Sequence, residues 1–117
     1  MELKMKIAIV GSRSLTDISL DPYVPREAEE IVTGGAKGID LLAAEYAKAK
    51  GLKLTEFLPQ YEKYGRAAPI VRNKEIVDCA DKIIVFWDGR SKGAASVIRY
   101  AEKIKKPLQV IRINKTP

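Results

Sequence analysis

Glu30-Ile31-Val32-Thr33-Gly34-Gly35-Ala36-Lys37-Gly38-Ile39-Asp40-Leu41-Leu42-Ala43-Ala44-Glu45-Tyr46-Ala47 changes its apolar pattern midway, and that change decides the fold. The run Glu30 to Thr33 is short and ends in glycines, which reads as a strand entering a turn. Beyond Gly38, the residues Ile39, Leu42, Ala43, Tyr46 and Ala47 recur at helical spacing. The helix should stop at Gly51, with Lys48 and Lys50 in its last turn against the negative end of the helix dipole. Strand, glycine loop and helix together make one half of a βαβ unit.

Working outward, the same alternation repeats. Lys6 to Val10 reads as the first strand, Leu52 to Leu58 as the third, Lys82 to Trp87 as the fourth and Leu108 to Ile113 as the fifth. Helices are predicted from about Ile70 to Cys79 and from Ala94 to Lys105, the latter stopped by Pro107. Pro59 to Pro69 reads as an irregular loop, and Asn114 to Pro117 as a frayed tail. Alternating strands and helices imply right-handed crossovers, and hence an α/β, Rossmann-like three-layer domain with a parallel five-stranded sheet in the order 3-2-1-4-5. One such domain, residues 1–117, accounts for the chain. Between the first two strands, Pro22 and Pro25 would interrupt a helix, so the first helix should shrink to about a turn at Thr16 to Leu20. That shortening would uncover one set of sheet residues among Ile7, Ile9, Ile84 and Phe86, and a homodimer or larger assembly is expected to cover them.

Ligands of such sheets bind at the carboxyl ends of the strands. Three strands end there in glycine turns: Gly11-Ser12-Arg13, Gly34-Gly35-Ala36-Lys37-Gly38, and Asp88-Gly89-Arg90-Ser91-Lys92-Gly93. Glycine lets the backbone approach a phosphate, Gly35 being the position where a side chain would fill that space, and a following helix aims free amides and a positive dipole end at the anion. The central loop is neither the dinucleotide fingerprint Gly-x-Gly-x-x-Gly nor a Walker A loop, which excludes an ordinary dehydrogenase or P-loop NTPase. Arg13, Lys37, Arg66, Arg72, Arg90 and Lys92 fall in or just after these loops and are expected to converge on one anion-binding crevice. The bland alternative is a solvated loop surface. Asp17, Asp40 and Asp88 lie near the same edge. Asp40 reads either as a ligand or base residue or as a helix-dipole partner, and Asp88 either as a ligand residue or as a turn former. Trp87 and Tyr64 are candidates for stacking on a base, with core packing the stronger reading of Trp87.

Composition narrows the chemistry. With no histidine and a single Cys79, which reads as structural, the chain offers neither the usual zinc or copper ligand sets nor Ser-His and Cys-His catalysis, so no metal is expected and no cofactor is called for. No apolar run approaches the roughly 20 residues of a membrane span and no leader pattern opens the chain, so a cytoplasmic protein with no membrane partner is expected. A net charge of +6 favours anionic partners.

With Gly11-Ser12-Arg13, Gly34 to Asp40, Tyr64-Gly65, Arg72-Asn73 and Phe86-Trp87-Asp88-Gly89-x-Ser91-x-Gly93 in order along nearly the whole chain, the sequence resembles the SLOG superfamily, in its YspA-type, YpsA-related branch. The superfamily also contains the Lonely guy phosphoribohydrolases and the Rossmann domain of DprA. The resemblance implies a nucleotide or nucleotide-derived ligand, with ADP-ribose and NAD-like compounds as candidates, sensed or processed at these loops. The Lonely guy enzymes carry Pro-Gly-Gly-x-Gly-Thr-x-x-Glu after the fourth strand. Ala94 and Val97 stand here at the threonine and glutamate positions. Ligand binding therefore leads. N-glycosidic cleavage, with Arg72 stabilising charge and Asp40 or Asp88 as base, is the alternative. Single-stranded nucleic-acid binding comes third, because the bases gather at a crevice and not along a stripe.

Overall fold

Runs such as Ile7 to Val10 and Ile83 to Phe86 are apolar on both alternating faces, so their burial requires a layer above and a layer below the sheet. The computed structural model, which describes residues 4–114, has that arrangement. Strands β1 (Met5–Gly11), β2 (Ala28–Thr33), β3 (Lys53–Glu56), β4 (Lys82–Trp87) and β5 (Leu108–Arg112) are all parallel, in the order β3-β2-β1-β4-β5. Helices α1 (Ile39–Lys50), α2 (Tyr61–Tyr64), α3 (Ala68–Cys79) and α4 (Lys92–Lys103) complete a Rossmann-like α/β fold. Among the described residues no helix is long and apolar enough to cross a membrane.

Strand alternation sorts the core into two halves. Ala8, Val10, Val32, Ile83 and Val85 pack against Ile76 and Val77 of α3 and Ala94, Val97 and Ala101 of α4. Ile7, Ile9, Ile31, Ile84 and Phe86 point the other way, onto Ile39, Ala43 and Ala47 of α1. Right-handed crossovers explain the division, since the chain steps outward from β1 in one direction through β3 and in the other through β5.

The segment between β1 and β2 departs from expectation. Thr16 to Leu20 is not helical; the single turn falls later, as a 3-10 turn at Asp21–Tyr23 with Pro22 at its start, where proline's fixed φ suits a first turn. The irregular stretch lets Leu15 and Leu20 reach inward until both are almost fully buried, while Tyr23 meets Phe86 edge to face at 5.2 Å. Ile7, Ile9, Ile84 and Phe86 are thereby completely buried by their own chain. The sheet face that called for a second copy is closed, and it gives no reason for a homodimer.

Smaller differences follow from local packing. The loop after β3 holds α2 and a 3-10 turn at Gly65–Ala67, and α3 starts at Ala68 because Pro69 is tolerated in a first turn. β3 is shorter than Leu52 to Leu58, as an edge strand with one neighbour needs to be. α4 begins two residues earlier than Ala94, at the residue following Ser91, whose Oγ accepts from the Ala94 amide and fixes the helix start. α1 does stop at Gly51. Of the predicted tail, residues 115–117 lie outside the described residues.

Candidate functional site

β1 and β4 are neighbours in the sheet but lie on opposite sides of the point where strand order reverses, so the chains leaving them diverge to opposite faces. A crevice opens at such a switch point. Here it measures about 370 Å³ and is walled by the ends of β1 and β4, the first turns of α1 and α4, and one face of α3.

Gly11 forms the floor, where a Cβ would lie 2.3 Å from the Phe86 carbonyl oxygen, so the two strand ends can approach only without a side chain. Ser12 is fully buried behind the floor. Its amide donates to the Phe86 carbonyl at 3.0 Å and its Oγ accepts from the Asp88 amide at 3.0 Å, stapling β1 to β4. Arg13 and Ser14 form the adjoining wall. Gly38, at φ +75, lets the second loop press onto the first: a Cβ there would lie 2.6 Å from the carbonyl oxygens of both Ser12 and Arg13.

Asp88 proves to be the turn former. Its Oδ1 accepts from the Arg90 and Ser91 amides, each at 2.8 Å, and its Oδ2 from the Ser14 hydroxyl at 2.9 Å. Those two amides, with smaller help from Ser14 and Ser12, hold its carboxyl well below the usual carboxylate range. Ser91 caps α4, leaving the first-turn amides at Lys92 and Gly93 without intrahelical acceptors beside the crevice. Trp87 is not a free stacking platform, since its Nε1 donates to the Ser91 carbonyl at 3.0 Å and the Arg112 guanidinium lies 5.7 Å from its ring. Gly89 packs against that same guanidinium, outside the crevice.

From the opposite wall, Arg72 and Asn73 of α3 enter side by side, each only 9% exposed. Arg72 Nη1 donates to the Gly34 carbonyl at 2.7 Å and Nε to Asn73 Oδ1 at 2.9 Å; Asn73 Nδ2 donates to Ser96 Oγ at 2.9 Å, which donates to the Gly93 carbonyl at 3.0 Å. This relay joins the second and third glycine loops through α3. Burial works against the charge of Arg72, and the neighbouring Asp40 offsets part of that. Asp40 sits in the first turn of α1, 5% exposed, with Oδ2 accepting from the Ala36 amide at 3.2 Å. Burial pushes its carboxyl up, against the opposing pull of the Ala36 amide, Arg72, Thr33 and Gly11.

Gly11, Arg13, Ala36, Asp40, Arg72, Asn73, Asp88, Ser91 and Gly93 thus line one crevice, Arg72 and Asn73 reaching it from α3 and the others from the strand-end loops and helix starts. Ser12, Gly34 and Gly38 stand behind it as supports. Gly35 faces outward, where a Cβ would meet Leu58, so the space expected for a phosphate there is taken by an apolar side chain; the inward position is Gly34. Of the six bases expected to converge, only Arg13 and Arg72 line the crevice; Lys37, Arg66, Arg90 and Lys92 are exposed and outside its lining, with Ile39 and the Asp88 turn filling the inward positions beside Lys37 and Arg90. Asp17 and Tyr64 do not line it either. Sequence reasoning missed Ser14 and Ser96. Ser14 was legible as the next hydroxyl in Ser12-Arg13-Ser14, and Ser96 as the residue one helical turn beyond Gly93. Among the described residues no group of acids and Cys79 gathers to hold a metal ion. No protein-family model, no curated protein and no solved structure matches the chain.

Proposed function

We propose that the crevice binds a nucleotide or nucleotide-derived ligand, its phosphate held between the N-terminus of α4 and Arg13. One observation carries this reading: two arginines from different elements and the free first-turn amides of α4 face a single crevice at the switch point of a parallel sheet. Burial is what chiefly lowers the pKa of Arg72, with Arg13 adding only the smallest contribution, and an anion in the crevice would favour its charged form. The resemblance to the SLOG superfamily points to the same ligand class. Ala94 and Val97 give the crevice an apolar wall where Lonely guy enzymes carry threonine and glutamate, which favours binding over glycosidic cleavage. Calorimetry with adenine mononucleotides, ADP-ribose and NAD tests the reading. Saturable binding in the micromolar range is expected, and no binding of any of them at millimolar concentration would refute it.

A further inference from the structure

The walls of the crevice carry no aromatic ring, although a nucleotide brings one to them. A base gains most from lying flat on an aromatic face, so the rings around the crevice decide where it can rest. Most of them are already engaged. Phe86 meets Tyr23 edge to face, Phe57 packs against the core, and the Trp87 indole is bonded to the Ser91 carbonyl. Tyr100 donates to Asp78 between α3 and α4, and Tyr46 lies in the second half of α1 with Lys50 over its ring. Tyr64 carries Lys63 over its face.

Tyr61 is the exception. It opens α2, which follows β3 at the carboxyl edge of the sheet and packs against α3, the helix whose Pro69, Arg72 and Asn73 line the crevice. Its ring is 58% exposed, and among the described residues no cation or second ring covers it. Leu58, just before it and equally exposed, lies beside Gly35, the neighbour of Ala36 in the crevice wall. Arg72 is within electrostatic reach of both Tyr61 and Arg13. With Arg13 and α4 taking the phosphate, the other end of the ligand is left to the second loop and α2. An exposed ring with an aliphatic neighbour at that end has the composition of a stacking platform. A volume of about 370 Å³ is near the small end of ligand pockets and leaves a base to rest at the rim. We propose that Tyr61 stacks on the base of the bound ligand, so that the crevice takes a nucleoside monophosphate with its phosphate inward and its base over α2. This rests on the crevice being the nucleotide site described above.

The test compares a ligand that has a base with one that lacks it. Adenosine 5′-monophosphate and ribose 5-phosphate are titrated calorimetrically into the parent protein, Tyr61→Ala and Tyr61→Phe; an exposed position tolerates both substitutions. In the parent, the nucleotide should bind about 10- to 100-fold more tightly than the sugar phosphate, the range of one base stacked on one aromatic ring. Tyr61→Ala should abolish that preference and leave ribose 5-phosphate binding unchanged, whereas Tyr61→Phe, which keeps the ring, should retain it. Stacking also moves the adenine proton resonances upfield on binding, a signature that Tyr61→Ala should remove. Equal affinity of the two ligands in the parent, or a preference that survives in Tyr61→Ala, overturns the role of Tyr61 and leaves the phosphate site standing. Loss of both ligands in Tyr61→Phe overturns it as well, because the hydroxyl and not the ring would then be the contact. Binding of neither ligand to the parent at millimolar concentration overturns both readings.

Discussion

Gly34→Ala separates the inner face of the second loop from its outer face. Gly34 is not at positive φ, so its backbone accepts alanine; the obstacle is the Cβ, which would lie 2.7 Å from Arg72 Nη1 and 2.9 Å from Asp40 Oδ2. Neither group can swing away freely, because Arg72 is tied to the Gly34 carbonyl and to Asn73, and Asp40 to the Ala36 amide. Losing the charged hydrogen bond from Arg72 costs about 1.5–3 kcal/mol, and the stiffer unfolded chain returns about 0.4–1 kcal/mol. A net loss of about 0.5–2.6 kcal/mol follows. With an unfolding entropy of about 2.1 cal/mol/K per residue, each kcal/mol is worth about 4 °C for a chain of this length, so Tm should fall by about 2–10 °C. Ligand affinity should fall at least about 10-fold with it, since both displaced side chains line the crevice. Gly35→Ala is the control: strained at φ +73 and pressed onto Leu58, it should lower Tm and leave affinity unchanged. Calorimetric melts and ligand titrations on both variants decide. An unaltered Gly34→Ala, or a loss of affinity confined to Gly35→Ala, would show that the ligand lies on the outer side of the loop.

Four further outcomes are expected. Leu15→Ala should cost about 2–5 kcal/mol in urea unfolding by opening a cavity over Ile9 and Phe86; a loss under about 0.5 kcal/mol would mean the β1–β2 segment does not cover the sheet. Ser12→Ala should cost about 1–3 kcal/mol and raise hydrogen exchange at the Asp88 amide, whose acceptor it removes; unchanged exchange would place that acceptor elsewhere. Arg13→Ala should weaken ligand binding about 10-fold or more and leave Tm unchanged, because Arg13 is exposed and its side chain makes no hydrogen bond among the described residues; full affinity would remove Arg13 from the site. Asp40 and Asp88 should impose opposite pH dependences. The raised carboxyl of Asp40 contributes stability below the ordinary value of 3.8 that is lost as pH rises through its folded value, whereas the depressed carboxyl of Asp88 contributes stability above 3.8 that is lost only in stronger acid. Asp40→Asn should therefore gain stability over the parent as pH rises from 3.8 through the raised folded value of Asp40, and a difference that shrinks over that rise would contradict the sign.

Strand order and the edge that carries the crevice were legible from the alternation of elements: Ile7 to Val10 and Ile83 to Phe86 cannot be half-exposed strands, and glycine turns follow them. The β1–β2 segment was harder to read, because proline forbids a helix without saying what replaces it. Leu15, Leu20 and Tyr23 cover the sheet from irregular backbone, and no spacing rule marks such residues as core. Side-chain direction was the other blind spot. Lys37 and Arg90 share loops with crevice residues, yet Ile39 and the Asp88 turn occupy the inward positions and leave the long chains to solvent.

Arg72 ties the crevice wall to the stability of the fold. A guanidinium in the interior of a βα loop system would be costly to bury for ligand contact alone. Arg72 offsets that cost by donating to the Gly34 carbonyl and, through Asn73 and Ser96, by fixing the Gly93 end of α4. Both glycine loops are therefore joined by a relay that starts from adjacent side chains of α3, Arg72 and Asn73. A ligand that fills the crevice would meet both loops at once, and the two are linked by hydrogen bonds of 2.7–3.0 Å. Substitutions at Arg72 or Asn73 thus report on the relay as much as on the ligand, which makes the exposed and unbonded Arg13 the cleaner measure of what the crevice itself holds.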